Sequence, residues 1–165
     1  MFRPMRRKVQ QMSEADCLAV LARAQEGVLS VQGDDGYPYG VPVNFLYADG
    51  RIILHCAREG HKMDALRRSD KVSFCVVDER TVVPSEYSTA YRSVILFGRA
   101  RIVEEAEAMI PLLDALAARF VPDGPDARRA YIDKYLRGVA VVEIAVEHMT
   151  GKEGRLLMQK RTEAE

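Results

Sequence analysis

Residues 51–66, RIILHCAREGHKMDAL, read as a strand, a tight loop and the start of a helix. Ile52, Leu54 and Cys56 alternate with Ile53, His55 and Ala57, which is the two-residue period of a strand. Gly60 breaks the alternation, and Met63 and Leu66 then keep a helical spacing into Arg67 and Arg68. A glycine followed by His61 and Lys62 at a helix start can seat a phosphate. Backbone N–H groups without helical partners and the positive end of the helix dipole face outward there, and Lys62 adds a full charge. The alternation does not say which face of the strand packs into a core and which meets a ligand.

The 165 residues suffice for one domain with a sizeable core. The chain is read as a single domain over 1–165, with loose ends at 1–12 and 159–165. Lys plus Arg number 24 and Asp plus Glu also 24, so the formal net charge is zero. That balance removes the electrostatic case for nucleic acid or an anionic membrane as partner. No segment is long and apolar enough to span a bilayer. MFRPMRRK leads into the polar VQQMSEAD, so a secretory signal is not expected and a cytoplasmic location is. Cys17, Cys56 and Cys75 are odd in number, widely spaced and set in apolar patterns, which reads as three buried thiols in a reducing compartment. A metal site is not expected either. Only His55, Cys56 and His61 lie close together, and adjacent strand residues point to opposite faces.

Ser13 with Asp16 forms a capping box for a first helix, whose stripe of Leu18, Leu21 and Ala22 ends by Gly27. Val28–Val31 reads as a strand, Asp34-Asp35-Gly36 as a hairpin signal, and Tyr37–Tyr47 as a long second strand made irregular by Pro38 and Pro42. Asp49-Gly50 turns into the opening stretch. Lys71–Val77 is another strand, 78–90 a long loop of the kind that carries function, and Tyr91–Val103 the longest alternating run. A helix over 104–120 must kink or restart at Pro111. Asp126 is placed to cap a shorter helix, Val139–Val146 is a last strand, and MTGKEGRLLMQK is expected to leave the core. Six or so strands, mostly joined by hairpins, with helices outside them, give an α+β, mainly β class built as an antiparallel barrel with peripheral helices.

Taken alone, His55 in an apolar strand reads as a core histidine with one satisfied hydrogen bond. Arg92 shares a side with Val94 and Leu96, and an arginine there needs a carboxylate, a phosphate or a subunit boundary.

Four stretches in order, GYPYGVPVNFLY, ILHCAREGHKMDAL, TAYRSVILFGRARIV and VEHMTGKE, resemble the pyridoxamine 5′-phosphate oxidase-related flavoproteins. More narrowly they resemble the branch related to 5-nitroimidazole resistance reductases. The resemblance implies a split β-barrel that binds FMN at a homodimer interface. It implies that Val43 and Asn44 line the flavin, and that His55, Cys56 and Ala57 run along its ring and ribityl chain. His61 and Lys62 fall at the family's phosphate contacts, while Tyr91, Arg92 and Ser93 would reach the cofactor from the partner subunit. Met149–Lys152 would lie close to the ring, and His55 becomes the catalytic candidate.

The family's true oxidases hold pyridoxal phosphate with C-terminal basic and aromatic residues, and this chain has no tryptophan at all. Vitamin B6 oxidation is therefore not expected. The function so implied is an FMN-dependent oxidoreductase reducing a small electrophile, such as a nitro-aromatic, with electrons from a nicotinamide donor. A non-catalytic flavin- or haem-binding module on the same barrel is the alternative.

Overall fold

The two edges of the sheet belong to one run of chain. The structure, a computed structural model, describes residues 1–164. Its elements are α1 (Glu14–Arg23), β1 (Glu26–Gln32), β2 (Pro38–Asn44), β3 (Leu46–Ala48), β4 (Arg51–Ala57), α2 (His61–Arg68), β5 (Lys71–Val83), β6 (Ser88–Val103), α3 (Ala106–Phe120), α4 (Pro125–Tyr135), β7 (Val139–Glu153) and α5 (Arg155–Ala164). The strands form one sheet in the order β2-β1-β5-β6-β7-β4-β3, with every pairing antiparallel. β2 pairs with β1 at one edge and β3 with β4 at the other, and only Phe45 stands between β2 and β3. The predicted strand Tyr37–Tyr47 is thus two strands, and the break lets the chain cross from one edge to the other. This is the split barrel with outer helices that the resemblance implies.

The barrel interior holds Leu29 and Val31 from β1, Ile52, Leu54 and Cys56 from β4, Val72, Phe74 and Val76 from β5, Val94 and Leu96 from β6, and Ala140, Val142 and Ile144 from β7. Phe45 is fully buried among them, edge-on to Phe74 with ring centroids 5.1 Å apart. α1 and α2 close the barrel with Cys17, Val20 and Leu21 and with Met63, Ala65 and Leu66. A second, smaller core lies between the sheet and the α3–α4 hairpin: Ile53, Val103 and Val141 pack with Met109, Leu113 and Ile132. β4 therefore serves both cores, one with each face.

Local signals explain most boundaries. Ser13 Oγ accepts a hydrogen bond from the Asp16 N–H at 3.1 Å, the expected cap. Asp49 and Gly50 both take positive φ, 48° and 73°, to turn β3 into β4. Several readings need correction. The presumed loop 78–90 is an extended β5–β6 hairpin around a bulge between Val77 and Arg80, because cross-strand pairing supplies the order its composition lacks. MTGKE does not leave the core but continues β7 against β6 as far as Glu153. α3 runs through Pro111, and α4 begins with Gly124 and Pro125 rather than with a cap from Asp126. The segment from 159 continues α5 as far as Ala164, with Glu165 outside the described residues. At the other end, Phe2 stacks on His148 with centroids 4.7 Å apart, and the Met12 N–H donates to Gly151 O at 3.0 Å. Among the described residues no helix is long and apolar enough to cross a membrane.

The β6–β7 ladder shifts register between Phe97 and Gly98. A Cβ at Gly98 would strike the Ala145 carbonyl oxygen of β7, a backbone atom that cannot swing aside. Gly98→Ala is expected to lower unfolding free energy by about 1–3 kcal/mol in urea titration, the cost of overpacking. An unchanged midpoint would mean that the ladder has slack at this point.

Candidate functional site

The outer face of β4 carries His55 past the edge of the second core into an open groove. α3 contributes Leu113, Leu116, Ala117 and Phe120 to its wall, and α4 contributes Tyr131, Ile132 and Tyr135. On the strand side lie Val139, His55 and Asn44, enclosing a cavity of about 240 Å3. Asn44 is there because of the break at Phe45. β3 pairs Leu46 with Ile53, so the residue at the end of β2 falls beside His55 although it pairs with Glu26 of β1. Its side-chain NH2 donates to Gln25 O at 3.1 Å, which fixes the amide at the rim.

His55 keeps an edge open to solvent, and among the described residues its imidazole has no hydrogen-bond partner. A core histidine with a satisfied bond is thus not what the structure holds. Desolvation by the surrounding walls, and then the nearby Lys62 ammonium, pull its pKa below the ordinary histidine value. The ring is therefore neutral near pH 7. Cys56 points the other way, into the barrel, where its Sγ lies 3.4 Å from Met63 Sδ. From the stretch His55–Ala57, a ligand on the His55 face can meet His55 and Ala57 by side chain and Cys56 only by backbone. Val43 likewise packs its side chain against the barrel core.

The start of α2 matches the phosphate-seat reading in its backbone. Gly60 has φ 114°, a conformation that side chains rarely adopt, with open space where a Cβ would be. Met63 and Asp64 N–H groups both return to Gly60 O, so those of His61 and Lys62 have no acceptor within the helix. The His61 side chain is otherwise engaged. It stacks on Tyr39 with centroids 4.1 Å apart, and its Nε2 lies 3.5 Å from the Asp34 carboxylate. Lys62 is left as the side-chain cation of the pair.

Tyr91, Arg92 and Ser93 lie elsewhere on the same chain. Ser93 faces outward on β6 in a second pocket with Arg3, Met5, Ile95, Thr150 and Lys152, and Lys152 Nζ stands 5.4 Å from the Tyr91 ring centroid. Arg92 meets its need for a carboxylate within the chain: it donates to Glu79 at 2.8 Å and lies 3.8 Å from the buried Glu153. Of Met149–Lys152, Met149 packs on the barrel core while Thr150 and Lys152 line that second pocket. One chain thus brings together Asn44 and His55, with Lys62 near enough to act on the imidazole, and it holds residues 91–93 apart from them.

The thiols carry no chemistry here. Burial pushes Cys17 up to about 11 and raises Cys56 and Cys75 as well, so the reactive thiolate is suppressed at all three. Sequence reading missed the wall made by α3 and α4. Its signal was present in the spacing of Leu113, Leu116, Ala117 and Phe120, and of Tyr131 and Tyr135, which place them on one face of each helix.

Comparison with known proteins bears on this arrangement. The family model described as pyridoxamine 5′-phosphate oxidase matches residues 13–153, most of the chain. The chain belongs to that family. Among solved structures, it is similar to a candidate 5-nitroimidazole antibiotic resistance protein from Bacteroides thetaiotaomicron, with 25% identity, TM-score 0.74, and 87% of this chain and 86% of that one covered. A conserved hypothetical protein from Mycobacterium tuberculosis shares 27% identity at TM-score 0.79, over 93% of this chain and 92% of that one. An FAD- and haem-binding protein from Mycobacterium smegmatis, at 22% identity and TM-score 0.74, shares the fold over 88% of this chain and 74% of that one. Comparison with curated proteins finds no significant match. In this family member β4 carries His55 into the groove and leads through Gly60 into the start of α2.

The lowered His55 pKa has a signed consequence. In the unfolded chain His55 protonates near about 6.5, while the folded protein keeps it neutral to lower pH. Below that value the unfolded state binds more protons, so stability falls with pH until the folded-state pKa is passed. His55→Gln should therefore lose less melting temperature than the parent between about pH 7.5 and about pH 5 in scanning fluorimetry. Parallel losses in both proteins would remove the desolvated imidazole from the account.

Proposed function

We propose that this chain is an FMN-dependent oxidoreductase that acts as a homodimer and reduces a small electrophile, such as a nitro-aromatic, with electrons from a nicotinamide donor. The carrying observation is the unbonded, neutral His55 imidazole at the open end of an apolar groove, with Lys62 close by. The likeness to a candidate 5-nitroimidazole resistance protein and the shared fold with flavin-binding proteins support the same reading.

The donor set suits a flavin mononucleotide. The free N–H groups of His61 and Lys62, the open approach over Gly60 and the Lys62 ammonium would hold its phosphate. Asn44, His55 and Ala57 would face its ring side, with Cys56 and Val43 contributing backbone only. When bound, the flavin supplies the electron transfer. His55 would orient the substrate and hold or deliver a proton at a ring nitrogen, a task for which both protonation states must be reachable.

A second copy of the chain would complete the site. Val28, Val77, Ile95 and Phe97 are each about two-fifths to one-half exposed on the outer face of β1, β5 and β6, an apolar face that calls for cover. Tyr91 and Ser93 on that side, with Arg92 between them facing the other way, would then reach the flavin of the other subunit.

Purified protein is expected to show a flavin doublet in its absorbance. A Soret band would assign it to haem instead, and neither band would end the flavin reading. Lys62→Ala should weaken FMN binding by about 1.5–3 kcal/mol, roughly ten- to hundredfold, measured by fluorescence titration. His55→Gln should keep flavin content at pH 7.5 while slowing nitro-reduction at least about tenfold. Normal turnover in that variant would take the chemistry away from His55.

A further inference from the structure

We infer that the α3–α4 groove is a binding site for an uncharged, largely apolar aromatic molecule of one or two rings, and that it discriminates against phosphorylated or carboxylated ligands of the same shape. As a substrate class this rests on the oxidoreductase reading; as a binding site it rests on the groove's own residues.

The walls present aliphatic and aromatic carbon, and the polar side chains among the lining residues are Asn44, His55 and the phenols Tyr131 and Tyr135 at the rim. No carboxylate, ammonium or guanidinium is among its lining residues. Most charged residues of the two helices have partners outside the groove. Arg119 donates to the Leu21 and Ala24 carbonyls at the end of α1. Asp114 is paired with Arg128 at 2.7 Å, and Arg129 with Asp133 at 3.0 Å. Lys134 places its Nζ 5.1 Å from the Tyr135 ring centroid without lining the groove. His55 adds no charge near neutral pH, since desolvation and Lys62 both disfavour its protonated form. A phosphate or carboxylate carried into these walls would lose much of its water and meet no cation among the lining residues, which is costly.

The shape is as selective as the charge. A cavity of about 240 Å3 accommodates one or two fused rings, and a longer molecule would reach out of the open groove into solvent. Tyr131 and Tyr135 stand 4.6 Å apart with their rings tilted by 48°, both partly exposed at the rim, and Phe120 faces the same space. Aromatic faces in that arrangement favour a flat ligand. Where the groove opens, the unbonded imidazole offers a donor and an acceptor, which suits a single hydroxyl, carbonyl or nitro group on the ring.

The test uses 2-naphthol and 2-naphthyl phosphate, equal in ring system and different in charge, by equilibrium dialysis against the full chain as purified at pH 7.5. The neutral probe should bind at least tenfold more tightly. Ala117→Trp, which fills the groove from α3, should abolish that binding and leave flavin content and melting temperature unchanged. Tyr131→Lys, at a well-exposed rim position, should raise affinity for the phosphate ester at least tenfold, and it decides the matter if Ala117→Trp does not fold. Equal binding of the two probes, naphthol binding that survives Ala117→Trp, or no gain of phosphate ester in Tyr131→Lys would each overturn the inference. Loss of flavin together with naphthol in Ala117→Trp would also overturn it, by giving the groove to the cofactor while the oxidoreductase reading stands. Protein purified without flavin that still binds naphthol in an Ala117-dependent way would uphold the site and end that reading.

Discussion

Phe45 joins the two edges of a seven-stranded sheet, and the rest of the molecule depends on where it sits. Its side chain is fully buried against Phe74 inside the barrel, while the backbone on either side belongs to opposite sheet edges. Burying such a ring removes a large apolar surface from water, and its deletion from a core costs about 3–5 kcal/mol in general. The Arg119 guanidinium lies 5.4 Å from the centroid of the same ring and binds the last carbonyls of α1. One buried aromatic thus closes the barrel, brings Asn44 alongside His55 and ties α3 down over the groove.

A second constraint is the alternation of β4. The barrel buries the Ile52, Leu54 and Cys56 face of the strand, while on the other face α3 and α4 cover Ile53 and leave Arg51, His55 and Ala57 exposed. His55 lies just where the helical cover ends. That position explains both of its properties, an accessible edge and a desolvated ring, and both are needed for a group that is to meet a ligand while staying neutral. Lys62, at the helix that the same strand leads into, adds to the bias against a charged imidazole.

Much of this was legible in the chain. The period of two over residues 51–57, the Gly60 break and the helical spacing beyond it were local signals, and local signals survive folding. The Ser13 cap and the Asp49-Gly50 turn were of the same kind. Where the reading went astray, pairing across strands had overruled composition. The polar stretch 78–90 reads as a loop, yet its backbone groups find partners across the β5–β6 hairpin. MTGKE looks like an exit from the core, yet it is the far half of β7 against β6. The hairpin partners, Val83 with Ser88 out to Arg80 with Tyr91, are close in sequence but carry no alternating apolar pattern, whereas MTGKE pairs with the distant Arg92–Leu96 stretch, which no local window shows.

By itself, then, the sequence determined the class of fold, the strand–loop–helix that carries His55 and Lys62, and family membership through motifs in a set order. These are properties of neighbouring residues and of side-chain type. Only the tertiary structure decided which face of β4 meets the barrel, that Cys56 and Val43 turn inward, that Arg92 finds Glu79 and Glu153, and that α3 and α4 wall a groove over His55. A strand's alternation is symmetric between its two faces, and a helix's apolar stripe does not name its partner. Those choices are made when the edges meet at Phe45 and each face finds something to cover it.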